Sequence, residues 1–198
     1  MKILLSGNKK ILNKYLKEHA KIGLIPTASE IDDDRWYMER DKNALIDMNY
    51  DLITIDVTNE TKEEILNKFN LVDAICITGG NCFYLLQQLR LKDVVSDLID
   101  FANKKIYIGI SAGSCIASPN IDYLGNLDDK SEAPLLKDYN ALNFINGYIL
   151  PHYKSSEKYT KLSDDTIKQY KDLNFIVLTN SDAVIVNDRD NYEIVNTD

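Results

Sequence analysis

From its second residue onward the chain alternates short aliphatic or β-branched runs with longer amphipathic stretches, and no other feature constrains the fold as much. Runs of this kind predict strands at Lys2–Leu5, Lys21–Ile25, Leu52–Val57, Ala74–Thr78, Ile106–Ile110, Tyr148–Leu150, Phe175–Thr179 and Ala183–Val186. Between them, helical spacing covers Lys9–Glu18, Asp34–Met48, Lys62–Lys68, Cys82–Leu89, Val94–Asn103 and Ser156–Tyr170, with Phe83, Leu85, Leu86 and Leu89 marking one apolar face. Strands alternating with crossover helices imply an α/β fold: a doubly wound, mostly parallel sheet with helices on both faces. A last hairpin is expected from Asp182–Val186 to Tyr192–Val195.

No repeat, low-complexity tract or proline-rich linker interrupts the series, so residues 1–198 are expected to form a single catalytic domain. The polar stretch from Asp122 to Asp138 reads as a surface loop. Apolar residues make up 44%, enough for a real core. A formal charge of −8 repels phosphate backbones and anionic lipid, so neither nucleic acid nor membrane is an expected partner. The first apolar run is too short for a signal-peptide core and none approaches the ~20 residues of a membrane helix, which predicts a cytoplasmic protein. Cys76, Cys82 and Cys115 lack metal-type spacing and histidines are scarce, so reduced thiols, no metal and no cofactor are expected.

The chemistry concentrates where a buried-strand pattern, Ile106-Tyr107-Ile108-Gly109-Ile110, runs into Ser111-Ala112-Gly113-Ser114. The motif is G-x-S-x-G in a strand–turn–helix context, which lifts a serine hydroxyl out at the carboxyl end of a sheet. Serine needs a base to become a nucleophile. Of the two histidines, His19 falls in the helical pattern after the first strand, where a solvated helix end is its expected role. His152 follows Tyr148-Ile149-Leu150-Pro151 at a strand end, where catalysts gather in open α/β sheets. A tetrahedral intermediate also needs backbone donors. The turn Thr78-Gly79-Gly80-Asn81 supplies them, with the N–H groups of Gly80 and Ala112 assigned to the oxyanion and Gly79 and Asn81 expected to meet substrate.

Taken together, Ile75-Cys76-Ile77-Thr78-Gly79-Gly80-Asn81-Cys82-Phe83-Tyr84-Leu85-Leu86, Gly109-Ile110-Ser111-Ala112-Gly113 and Leu150-Pro151-His152-Tyr153 resemble the dipeptidase E (aspartyl dipeptidase) family, which also includes cyanophycinase. Ile25-Pro26-Thr27-Ala28-Ser29 matches that family's early strand-end motif as well. The resemblance implies a fold like the class I glutamine amidotransferase domain, with serine in place of the nucleophilic cysteine. It also implies a serine peptidase acting on short peptides through an acyl-enzyme on Ser111, with His152 as general base.

The family's third triad member is a glutamate after the histidine. The matching block, Leu178-Thr179-Asn180-Ser181-Asp182, puts Asp182 there. Aspartate is one methylene shorter, so either the loop moves inward or the contact runs through Asn180 or Ser181. Asp128, Asp129 and Glu132 are rival acids. Aspartate specificity does not carry over: Arg35, Arg40, Arg90 and Arg189 read as surface, and Lys154 is the cation nearest His152 in sequence. An amidase or esterase on a small metabolite, and a catalytically weak binding relative, remain alternative readings. Oligomeric state is not legible.

Overall fold

The computed structural model describes residues 1–196; Thr197 and Asp198, the end of the expected single unit 1–198, lie outside the described residues. Strands β1 (Lys2–Leu5), β2 (Lys21–Ile25), β3 (Asp51–Thr54), β4 (Ala74–Ile77) and β5 (Ile106–Ile110) pair in parallel in the order β3-β2-β4-β5-β1. The sheet is completed by β8 (Asp182–Asp188), antiparallel to β1, and by β9 (Asn191–Asn196) at the edge. The hairpin falls where the sequence predicts it. The outermost strand is largely polar and exposed, a composition that discourages pairing with another chain.

Both faces of the sheet are covered because its strands are apolar on both sides. In β4, Ile75 and Ile77 point to one core while Ala74 and Cys76 point to the other. The first core is closed by α2 (Lys62–Leu71), α3 (Cys82–Leu91) and α4 (Val95–Lys104), through buried residues such as Ile65, Phe83, Leu86 and Leu98. The second is closed by Ile11, Leu12 and Leu16 and by Leu45 of α1 (Trp36–Asp47). Each of these fully buried aliphatic side chains contributes roughly 1.5–3 kcal/mol. Thr61 starts α2 with a capping box to Glu64, and Asn81 caps α3 by accepting from Phe83 N and Tyr84 N.

Three expectations need correction. Lys9–Glu18 is not an α-helix: only Lys10–Lys14 forms a 3₁₀ turn, pressed onto the sheet by Ile11 and Leu12, with the Lys9 ammonium tied to Asp41. His19 is therefore not at a helix end but in a following turn, with φ 60 and its side chain in solvent.

Second, β6 (Tyr148–Leu150) and β7 (Phe175–Val177) pair with each other and not with the main sheet. Both edges of β5 are taken by β4 and β1, and the free edge of β1 by β8. The small sheet instead docks on the segment after Ser111, where Ile149 N donates to Ser118 Oγ and Ile149 O accepts from Tyr123 Oη.

Third, Asp122–Asp138 is not a plain surface loop. It holds two 3₁₀ turns, and Tyr123, Leu124, Ala133 and Leu136 are buried in the first core.

Candidate active site

The end of β5 turns sharply into a short helix, α5 (Ala112–Cys115). Ser111 at the junction has φ 51 and ψ −107, a strained conformation for any residue with a Cβ. The turn is held open from both sides. Ser111 N donates to Leu5 O at 2.9 Å, while Ser111 O accepts from Ser114 N and Cys115 N. Glycine at 109 is required by close approach: a Cβ there would lie 2.4 Å from Gly113 O. The hydroxyl is thereby presented at the carboxyl edge of the sheet.

His152 arrives from the end of β6, itself at φ 64, with its backbone N donating to Ser6 Oγ at 2.7 Å. Its ring bridges two partners: Nε2 is 2.7 Å from Ser111 Oγ and Nδ1 is 2.7 Å from Asn180 Oδ1. With the amide oxygen of Asn180 facing the ring, Nδ1 carries the proton and Nε2 offers its lone pair to the serine. Ser6 Oγ also donates to Asn180 Oδ1, at 3.3 Å, and the Tyr159 ring packs 5.3 Å from the imidazole. Burial lowers the imidazole's basicity, Asn180 and Asp41 raise it, and Arg40 and Lys9 lower it further; the net shift is downward.

Asp182 does not face the histidine. Its Oδ2 accepts from Thr179 N at 2.8 Å and from Thr179 Oγ1 at 2.6 Å, closing the turn that presents Asn180. The shorter side chain is thus used within its own loop, and the neighbouring amide takes the position at the ring. Of the rival acids, Glu132 lines the cavity and the other two hold backbone groups, while both ring nitrogens of His152 have other partners. Asp128 accepts from Cys82 N at the start of α3, its carboxyl pushed up by burial and by Asp32, while Asp129 caps the 3₁₀ turn at Lys130.

The glycine turn after β4 lies against the serine: a Cβ on Gly79 would sit 3.2 Å from Ser111 Cβ and 3.8 Å from the Tyr37 ring. Gly80 has φ 136, and a Cβ there would meet Ala28 O at 2.1 Å, so only glycine fits. Asn81 is occupied with capping α3 and donating to Asp129 O, which fixes the turn. Gly79, Gly80, Asn81, Ser111, Ala112 and His152 all line one cavity of about 1030 Å³.

The opposite wall is absent from the sequence reading. On α1 the residues Tyr37, Arg40, Asp41 and Ala44 repeat at helical spacing and turn toward this cavity, joined by Lys9 and Asp32. Asp41 is buried and forms ion pairs with Lys9 at 2.7 Å and Arg40 at 2.9 Å; Tyr37 Oη donates to Asp32. Arg40 is exposed, as the sequence suggests, and it also borders the cleft. Lys154 is exposed and stacks on Tyr153, outside the cavity. The available signal was the Tyr37/Arg40/Asp41/Ala44 spacing, which by itself says nothing about what the stripe faces.

Comparison with known proteins agrees with this architecture. Peptidase family S51 matches residues 3–194. An uncharacterized peptidase of Listeria innocua is 34% identical over 171 residues, covering 85% of this chain and 81% of its own. One from Pasteurella multocida is 32% identical over 173 residues, covering 86% and 83%. A solved structure of a peptidase E candidate from Listeria monocytogenes superposes with a TM-score of 0.89 at 29% identity, covering 98% of this chain and 97% of that one. Among the described residues no helix is long and apolar enough to cross a membrane. The chain belongs to peptidase family S51 and is a serine peptidase of that family.

Proposed function

We propose that this cleft hydrolyses short peptides, in the manner of dipeptidase E, through an acyl-enzyme on Ser111. The observation that carries this reading is the 2.7 Å contact between Ser111 Oγ and His152 Nε2. His152 takes the hydroxyl proton as Oγ attacks the scissile carbonyl, then returns it to the departing amine. A water molecule activated by the same nitrogen releases the acyl group. The backbone N–H groups of Gly80 and Ala112 are the donors for the oxyanion, one from the tight turn after β4 and the other from the start of α5. Gly79 leaves room for substrate beside the serine, and Asn81 holds the turn in shape.

Asn180 acts as the third member. A neutral amide oxygen fixes the Nδ1–H tautomer, as a carboxylate would, but gives less support to the imidazolium that forms during attack. His152 has a lowered basicity and is neutral at physiological pH, which suits a general base. Asp182 contributes by shaping the Thr179–Asp182 turn. The three cysteines are free and buried, in keeping with a reducing, cytoplasmic setting.

Labelling with a fluorophosphonate tests the reading. Wild type should be modified at Ser111 and Ser111→Ala should not react; an unreactive wild-type serine would leave a binding protein in place of a peptidase.

A further inference from the structure

If Ser111 is the acyl acceptor, the geometry of the cleft also orients the substrate. The imidazole that accepts the serine proton must deliver it to the leaving nitrogen, so the amino acid released from the carboxyl side of the scissile bond lies beside His152. The cavity that holds His152 carries charges of both signs, with Asp32, Asp47, Asp128, Asp129 and Glu132 among its acids. Lys9, Asp41 and Arg40 form a row in which Asp41 is shared: its Oδ1 is 2.7 Å from Lys9 Nζ and accepts from Arg40 Nε at 3.1 Å and Nη2 at 2.9 Å.

Two cations share one carboxylate, and exposure tells which of them can meet a ligand. The side chains of Lys9 and Asp41 are 7% and 2% exposed, whereas that of Arg40 is 54% exposed. The Lys9 ammonium also donates to Gly7 O at 2.8 Å, which keeps it facing inward. Arg40 holds its Nε and one Nη2 donor on Asp41 and lies 5.2 Å from the Trp36 ring centre, so its orientation is fixed while Nη1 has no partner among the described residues. Lys9, Trp36, Arg40 and Asp41 all line the cavity that holds Ser111 and His152. The charges of Arg40 and Lys9 reach the imidazole and lower its basicity.

We propose that Arg40, oriented by Asp41 and Trp36, binds the free α-carboxylate of the amino acid that leaves from the carboxyl side of the peptide. In a dipeptide this carboxylate is two bonds from the scissile nitrogen, a fixed reach that no side-chain carboxylate shares. A planar guanidinium with open donors is the natural partner for such a group. In a longer peptide the same position holds a neutral amide, and Arg40 would be left with a carbonyl.

The test uses X-leucine dipeptides, with X running over the common amino acids, each as the free acid and as the C-terminal amide. Fluorophosphonate labelling of Ser111 is measured in parallel. Wild type should favour the acid over the amide in kcat/KM by about tenfold or more, the value of one partly exposed charge-assisted contact. Arg40→Gln should bring that ratio to near one, chiefly through KM, and Arg40→Lys should keep part of it. Arg40 is exposed, and thermal unfolding of each variant checks that the fold is retained.

Equal rates on acid and amide in wild type, a ratio unchanged in Arg40→Gln, or amides accepted only when X is acidic would each overturn the assignment. So would a labelled Ser111 with no dipeptide hydrolysis. Absence of labelling in wild type sinks the peptidase reading itself, and the inference with it.

Discussion

Ser111, Gly79 and Gly80 form a wall of the cleft held by backbone, whereas the facing stripe of α1 consists of side chains that hold one another. On the first wall a Cβ at Gly80 would strike Ala28 O at 2.1 Å and one at Gly109 would strike Gly113 O at 2.4 Å, so the position of the serine is over-determined. On the second wall Lys9, Asp41, Arg40 and Trp36 depend on charge and stacking. Reaction geometry sits where the main chain cannot move. The facing stripe borders the same cavity but is held by contacts between side chains.

The largest effect should come from the rigid wall. Ser111→Ala should lower peptide hydrolysis by at least about a thousandfold with an unchanged melting curve, because nucleophile and base act as one unit. A loss below about a hundredfold would detach the serine from the chemistry.

Asp41→Ala probes the other wall through stability. It strands the buried Lys9 ammonium without its counter-charge, and breaking a buried pair in this way should cost about 3 kcal/mol in urea unfolding. A cost under about 1 kcal/mol, the range of surface pairs, would mean that the wall is not knit by charge.

Asn180 and Asp182 sharpen the comparison at the seam between the walls. Asn180→Ala removes the acceptor on Nδ1 and should lower kcat by about a hundredfold, since the wrong tautomer becomes accessible. Asp182→Ala acts only through the turn that carries Asn180 and should cost about tenfold. The reverse ranking in steady-state kinetics would return the acid's role to Asp182.

The smallest effect is on pH dependence. The folded-state basicity of His152 is lowered, chiefly by burial, with Arg40 and Lys9 adding to the shift and Asn180 and Asp41 opposing it. The neutral base is present above its pKa, so kcat/KM should fall as pH drops through a value below the usual imidazole value of about 6.5. Arg40→Gln deletes one lowering charge and should move that limb upward. No movement would separate the charged wall electrostatically from the base.

The strand at Ile106–Ile110 and the serine after it could be read from local pattern because both faces of that strand are buried and the turn needs small residues. The same logic failed for Lys9–Glu18, where apolar spacing suits a helix but the chain makes only a short turn against the sheet. Nor did it show that the exposed Arg40 also borders the cleft. A charged pair on an amphipathic helix has the same local pattern whether it faces water or a cleft, and here Asp41 is almost fully buried.

By itself the sequence determined the α/β alternation, the parallel sheet with its closing hairpin, and the placing of a serine and of a histidine each at a strand end, because these follow from periodicity and turn chemistry within short windows. Tertiary structure decided which group meets His152 Nδ1 and what lines the far side of the cleft. Those outcomes turn on differences of about one methylene and on how a helix is rotated over the sheet. Long-range packing sets both: Asp182 folds back on Thr179, leaving Asn180 at the ring, and the rotation of α1 over the sheet turns Arg40 and Asp41 toward the cavity, where Lys9, far away in the chain, shares Asp41.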